Sequence, residues 1–327
     1  MNSLSRRALL LVAALASGQP MVASAQADFP NRPVKIVVPF GPGNGMDLVA
    51  RTLGRELERR WGQSVVVENR AGAAGNLGTG VVAKAKPDGY TLLVHIDTIV
   101  INPGIYRDLG WDPIKDFTPL ALAARADTPI TLVGANAMPA KSLAEVLALA
   151  KAQPGKLNFA SPGVGTPQHL AMEMLAQKTG IKLVHVPFRT TVDAVSQLVA
   201  GDVQLMFAPG HVALQQAKAG RFRIIAVDGT QRWPEVPDAP TFMEGGVPDM
   251  DLTPWYGVFA PRGLPDDIAA RLKRDLAAAM KEPAVRTALL AGGLRALSGD
   301  AQELAQLMTR DQARWGALTR ALKITAD

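Results

Sequence analysis

VKIVVPFGPGNGMD, residues 34–47, runs an apolar, β-branched stretch into glycines at 41, 43 and 45 and then into a helical pattern. Val34, Ile36, Val37 and Val38 read as a buried strand. Glycines let the backbone turn there and approach a ligand closely. From Met46 onward apolar residues recur at Val49, Ala50, Leu53, Leu57 and Trp61, the 3.6-residue stripe of an amphipathic helix. A strand that hands over to a helix through glycines exposes the helix's first N–H groups and the positive end of its dipole, a seat for an anion. LNFASPGVGTPQHL, residues 157–170, repeats the design with Gly163, Gly165 and a proline at the first helical turn. Alone, each is equally a tight strand-to-helix turn with an N-cap. Together, one in each half of the chain, they predict two lobes facing each other across a cleft, with a small carboxylate or phosphate compound between them.

The pattern around these stretches agrees. Strand-like runs fall at 34–40, 64–69, 91–96, 157–161, 183–186, 203–208, 223–227 and 255–260, mostly continuous and apolar, as parallel strands covered on both faces would be. Helical patterns alternate with them at 46–61, 77–84, 143–152, 168–179, 192–200 and 212–218, and close the chain at 266–281, 284–291 and 301–322. The expected fold class is α/β, each lobe a mainly parallel sheet flanked by helices. Residues 119–134, with polar 125–129 between two apolar runs, and the proline-rich stretch 232–254 read as two crossings between lobes. The expected division is 28–124 plus 250–327 for the first lobe and 125–249 for the second. Two crossings favour hinge closure on a ligand.

The chain has 327 residues. Arg6 and Arg7, an apolar run at 8–16 and small residues Ala23 and Ala25 have the layout of a cleaved signal peptide over 1–25. Leu4-Ser5-Arg6-Arg7 leaves the twin-arginine and general export routes both open. The formal net charge is +6, part of which leaves with Arg6 and Arg7, and no long Lys/Arg run marks a nucleic-acid binder. There is no cysteine, so an exported chain would rely on core packing rather than disulfides and could carry no lipid on an N-terminal cysteine. The expectation is a freely diffusing, monomeric periplasmic protein.

A third glycine-rich segment, AGAAGNLGTG (71–80), follows the strand VVVEN and brings Asn76 and Thr79 to the carboxyl edge of the same sheet, where open α/β folds place their sites. Asp47 is expected to open the first helix, where its carboxylate complements the dipole. A dinucleotide reading fails on spacing, since Gly41, Gly43 and Gly45 are G-x-G-x-G and Pro42 sits inside the turn. The four histidines, His95, His169, His185 and His211, show no metal-ligand spacing, and no metal or cofactor is expected. His95 and Asp97 end the third strand on the ligand edge and are candidates for polar contact. Ser161 lies in A-S-P-G, not a nucleophile elbow, and no obvious base accompanies it. Arg189, between a strand and a helix, is a candidate carboxylate partner.

Taken together, FPNRPVKIVVPFGPGNGMDLVAR, VVVENRAGAAGNLGTGVVAKAKPDGYTLL, INPGIYRDLGWDPIKDFTPL, FASPGVGTPQHLAMEML, HVPFRTTVDAVSQLVAGDVQLMF and PWYGVFAPRGLP resemble the tripartite tricarboxylate transporter substrate-binding proteins, the Bug or TctC family, in the family's order and over nearly all of the mature chain. The resemblance implies a non-enzymatic Venus-flytrap receptor that closes on a small organic anion and presents it to membrane permease subunits. Carried over by position, first-lobe contacts fall on Phe40, Gly41, Gly43, Asn44, Gly45, Met46 and Asp47, and on Asn76 and Thr79. Second-lobe contacts fall on Ala160, Ser161, Gly163, Gly165, Thr166, Gln168 and His169, and on Arg189 and Thr190. Three departures bear on the ligand: Met46 where many members have Ser or Thr, Ala208 where many have aspartate, and His95 where many have glycine. They imply an aromatic or apolar carboxylate rather than an amino acid. A receptor serving a sensor histidine kinase, and an exported enzyme on the same scaffold, remain the alternatives.

Overall fold

The computed structural model describes residues 29–325, so the expected signal peptide lies outside the described residues. The first sheet has six strands in the order β11-β4-β10-β3-β1-β2: β1 (Val34–Val38), β2 (Val65–Asn69), β3 (Thr91–Ile96), β4 (Phe117–Ala126), β10 (Trp255–Pro261) and β11 (Leu294–Gly299). The second has five in the order β7-β6-β8-β5-β9: β5 (Ile130–Ala135), β6 (Asn158–Ser161), β7 (Val184–Pro187), β8 (Leu205–Pro209) and β9 (Phe222–Val227). The chain passes from one sheet to the other between β4 and β5 and returns between β9 and β10, the two places where the sequence loses its regular pattern.

The strands are mixed in direction rather than mainly parallel. β1 pairs in parallel with β2 and β3, and β6 with β7 and β8, as strand-helix-strand units require. The strands that carry the chain across are antiparallel: β10 pairs with β4, and β5 with β9. A chain that leaves a lobe on one strand and re-enters beside it must run the other way. Continuous apolar runs report burial on both faces, not direction, so the sequence pattern could not separate the two.

Helix α1 (Gly45–Trp61) lays Val49, Ala50, Leu53 and Leu57 on the first sheet, each fully buried, at roughly 1.5–3 kcal/mol for each large side chain. Helices α8 (Asp266–Lys281) and α9 (Pro283–Ala291) join the same core through Leu272, Leu276 and Leu289. On the opposite face lie α2 (Asn76–Ala83), the short α3 (Thr98–Ile101) and the first half of α10 (Ala301–Ala321), with Leu304 and Met308 packed on Val37, Leu93 and Trp255. The second sheet is covered by α4 (Leu143–Ala152), α5 (Pro167–Thr179), α6 (Thr191–Ala200) and α7 (Gly210–Lys218). The far half of α10 leaves the first sheet. Trp315 and Leu318, with Ile324 beyond them, share a core with Leu170, Ala171 and Met174 of α5, so the C-terminal segment straddles both sheets.

Candidate ligand-binding site

The first glycine loop is closed by its own side chains. Asn44 caps α1: its Oδ1 accepts from Met46 N at 2.8 Å and Asp47 N at 3.2 Å, and its Nδ2 donates to Gly41 O. Asp47 reaches back from inside the first turn. Its Oδ2 accepts from Gly43 N and Arg51 Nε, each at 3.0 Å, and its Oδ1 from Asn69 Nδ2 at 3.0 Å. Burial alone would raise this carboxyl, but the bonds from Arg51, Gly43 and Asn69 win and hold it below its usual range. Gly43 turns the chain at φ +85°. Two expectations change: Asn44, not Asp47, is the cap, and two of the N–H groups expected to face an anion are already spent on it. Asp47 has both oxygens engaged and shapes the loop. Met46 is buried in the core cluster that holds Val38, Val49 and Ala50.

The second loop is as tightly tied. Ser161 is fully buried; its Oγ lies 2.9 Å from Gly163 O, accepts from Gly163 N at 3.2 Å, and is 2.6 Å from His185 Nε2. His185 stacks on His169 with ring centroids 3.9 Å apart, and Phe159 stacks on His185 at 4.8 Å. His169 Nδ1 accepts from Gly165 N at 3.0 Å. Thr166 caps α5, accepting from His169 N at 3.4 Å and donating to Gly163 O at 2.8 Å. Burial, with His185 beside it, takes His169 down to about 3, and burial takes His185 down to about 4. The sequence missed this Ser161–His185 contact, since the two are in different strands of the sheet. A histidine so poor in basicity, beside a serine with no solvent access, is ill suited to nucleophilic catalysis.

The third loop carries strain. Gly72, Ala73, Ala74 and Gly75 all have positive φ, at 145°, 45°, 50° and 89°. Each left-handed alanine costs about 1–2 kcal/mol. Asn102, buried and absent from the sequence-derived site, holds the segment: its Nδ2 donates to Ala74 O at 3.0 Å and to Asn76 Oδ1 at 2.6 Å. Its only sequence signal was a polar residue inside the apolar run before Pro103. Thr79 donates to Gly75 O at 2.8 Å and is wholly internal.

These loops meet. A Cβ at Gly75 would lie 2.7 Å from the Phe40 ring and 3.5 Å from His95 Nε2, and the Phe40 and His95 rings meet edge to face. Ile105, just beyond Asn102, fills the space beside Gly165, where a Cβ would be 2.8 Å from its Cδ1. The first-lobe and second-lobe loops are thereby linked through residues 102–105. Tyr256, also missed, lies against Gly45.

At the carboxyl edge of β3, four buried polar atoms have no partner: Asn76 Nδ2, His95 Nε2, Asp97 Oδ1 and Thr98 Oγ1. Buried polar atoms are normally satisfied, so these four are open to a further partner. Burial keeps His95 neutral, down to about 3. Burial, then the carboxylate of Asp311, lifts Asp97 to about 7. The remaining expected contacts differ in burial. Ala160 and Ala208 are fully buried in the second-lobe core, so the missing aspartate at 208 opens no room beside a ligand. Arg189 and Thr190 are exposed, with Thr190 capping α6 through Asp193 N at 3.1 Å, and Gln168 is half-buried.

Comparison with known proteins agrees with this architecture. The model of the tripartite tricarboxylate transporter family receptor matches residues 49–324. A UPF0065 protein of Pseudomonas sp. strain P51 is 37% identical over 99% of this chain and 97% of its own. The periplasmic binding protein BugD superposes with a TM-score of 0.73 at 30% identity, covering 90% of this chain and 99% of that one. MatC from Rhodopseudomonas palustris with bound malate gives 0.74 at 33% identity, over 89% and 99% of the two chains. Rpa4515 from R. palustris with adipate gives 0.75 at 32%, over 90% and 98%. The chain belongs to the tripartite tricarboxylate transporter family receptors, the Bug or TctC group of periplasmic solute-binding proteins.

Proposed function

We propose that this receptor captures a small organic carboxylate between its lobes and delivers it to membrane permease subunits of the tripartite tricarboxylate type, after export to the periplasm with loss of residues 1–25. The observation that carries the reading is the unsatisfied pair His95 Nε2 and Asn76 Nδ2, buried beside the Phe40 and Gly75 loops. Nδ1 of His95 lies 2.8 Å from Ile96 N and 3.0 Å from Ile96 O. If the shorter contact governs, Nδ1 accepts, the proton sits on Nε2, and both orphans are donors awaiting oxygen. Phe40, Gly45, Asn76, His95 and Asp97 would form the first-lobe wall, and Gly163, Thr166 and Gln168 the second.

Burial of Met46 and Ala208 in core clusters weakens two of the three grounds for an aromatic acid and leaves His95 as the third. Malate and adipate, bound by relatives, make dicarboxylates the first probes. A thermal-shift titration should show a melting temperature that climbs with the concentration of one of them, since a ligand of the folded form alone stabilises by mass action. A stabilising compound that the protein consumes would overturn the receptor reading. Recovery of a histidine kinase, and no permease, from crosslinked membranes would replace the permease partner.

A further inference from the structure

A second place in the molecule has charged groups without partners, and it lies at the hinge. Arg125 is the penultimate residue of β4, in register with Trp255 of β10 and Arg295 of β11, on the far side of the sheet from β1. Asp228 follows β9, where the chain leaves the second sheet. Both line a hollow of about 410 Å³, and both border a neighbouring one of about 430 Å³ that extends toward β11. The two hollows sit between the crossing segments and include none of the glycine-loop residues.

Asp228 is 97% buried, with 3% of its surface exposed. Its Oδ2 accepts from Leu252 N at 3.2 Å and Thr253 Oγ1 at 2.7 Å, but its Oδ1 has no hydrogen-bond partner. Burial lifts its carboxyl to about 6, despite the bonds from Thr253 and Leu252. The Arg125 side chain makes no hydrogen bond or ion pair among the described residues, although its charge is felt by Asp97. The other acids on the wall are taken, Asp251 by Arg310 at 3.3 Å and Asp249 by Lys178 at 3.9 Å. An open guanidinium and an orphaned carboxylate thus face one hollow without pairing with each other. A buried carboxylate without a partner is costly, and either a proton or a cationic group relieves it. The remaining wall sets Thr230 and Thr253 beside the apolar Phe242, Met243, Val247 and Met250.

We propose that this hollow behind the hinge is a second ligand site, for a small amino acid with an apolar side chain, which sets its carboxylate on Arg125 and its ammonium on Asp228 Oδ1. A molecule that carries both charges meets both groups at once, and the volume has room for a leucine or methionine side chain. Because Arg125 comes from the first sheet and Asp228 from the second, occupancy and lobe angle are coupled, and the coupling acts in both directions.

Calorimetric titration of the mature protein with L-leucine tests this. L-Leucine should bind one per chain, while leucinamide and N-acetyl-leucine, which remove one charge each, should each bind at least about tenfold more weakly, the loss expected for a charge-assisted contact. Arg125→Met and Asp228→Asn should lower leucine affinity to a similar degree, and His95→Gln should leave it intact. No binding of leucine, methionine or phenylalanine would overturn the proposal. So would equal binding of leucinamide, or loss in His95→Gln with retention in Arg125→Met, which would place the amino acid in the cleft. The charge-deleted ligands make the test independent of whether the variants fold.

Discussion

Ser161→Ala separates a structural serine from a catalytic one by the sign of its effect. In the native protein the Ser161 hydroxyl lies 2.6 Å from His185 Nε2, accepts from Gly163 N and sits beside Gly163 O, with no solvent access. Removing the oxygen leaves the His185 nitrogen and the Gly163 N–H without this partner at half-buried positions, at no more than about 1–3 kcal/mol each. Gly163 O keeps the Thr166 hydroxyl at 2.8 Å, so the acceptor side loses little. Water and partial relaxation recover part of this and leave an expected loss of roughly 1.5–3 kcal/mol. Ser142→Ala is the control: an exposed cap of α4, bonded to Glu145 N at 3.3 Å, it should cost only about 0.5–1 kcal/mol. Urea unfolding at neutral pH reads both as shifts in midpoint with unchanged slope. A catalytic serine held in a strained, unsatisfied site would behave oppositely, since such sites cost stability and their removal restores it. A Ser161→Ala protein as stable as the parent, or more so, would refute the structural reading and revive the enzyme.

Three further outcomes follow from the geometry. Gly165→Ala places a side chain at φ +77° and 2.8 Å from Ile105 Cδ1; it should destabilise by about 1–3 kcal/mol, and Ile105→Ala should recover part of that in a double-mutant cycle, additivity meaning the two do not touch. Asp97, raised to about 7, favours folding when protonated, so its contribution is present at low pH and lost as pH rises from 3.8 through 7. Without ligand, Asp97→Asn should therefore gain stability relative to the parent on going from pH 5 to pH 7, by at most about 2–3 kcal/mol, and identical pH profiles would remove Asp97 from the buried set. His95 and His169, both lowered to about 3, act in reverse: their stability is complete above 6.5 and is lost as pH falls from 6.5 toward 3, so His95→Gln should flatten the acid limb of a melting-temperature profile.

Local features were legible in the sequence and relational ones were not. The loops at 40–47 and 161–169 could be found because glycine content and apolar period are properties of a few adjacent residues. The cap of α1 could not be assigned, because Asn44 and Asp47 are both good acceptors three residues apart, and the choice depends on where the strand ends. The outward or inward aim of Met46 and Ala208 depends on the rotational phase of a helix and the pleat of a strand. Those are fixed by the core, and both side chains turned inward. Asn102 with Asn76, and Ser161 with His185, are partners across sequence gaps that no spacing rule spans. β11 escaped because Leu294–Gly299 lacks both a clean alternation and a continuous apolar run.

The self-bonded loops bear on how a ligand would be held. Asn44, Asp47, Thr166 and Asn102 satisfy their own loops before any guest arrives, so little loop ordering would be charged against binding. The cost then falls on moving the lobes, and α10 limits that motion. Leu304 and Met308 lie in the first-sheet core, and Trp315 and Leu318 in the one shared with α5. Detaching Trp315 and Leu318 would expose side chains worth roughly 1.5–3 kcal/mol each, and Ile324 would go with them. A micromolar ligand supplies about 8 kcal/mol in total and can shift an equilibrium only by its differential affinity for the two states. Opening by separation along the α10–α5 contact would consume most of that. The economical motion keeps this contact as the pivot, flexes the paired crossings, and parts the lobes on the side of β1 and β2, where the Phe40 and Gly75 loops stand.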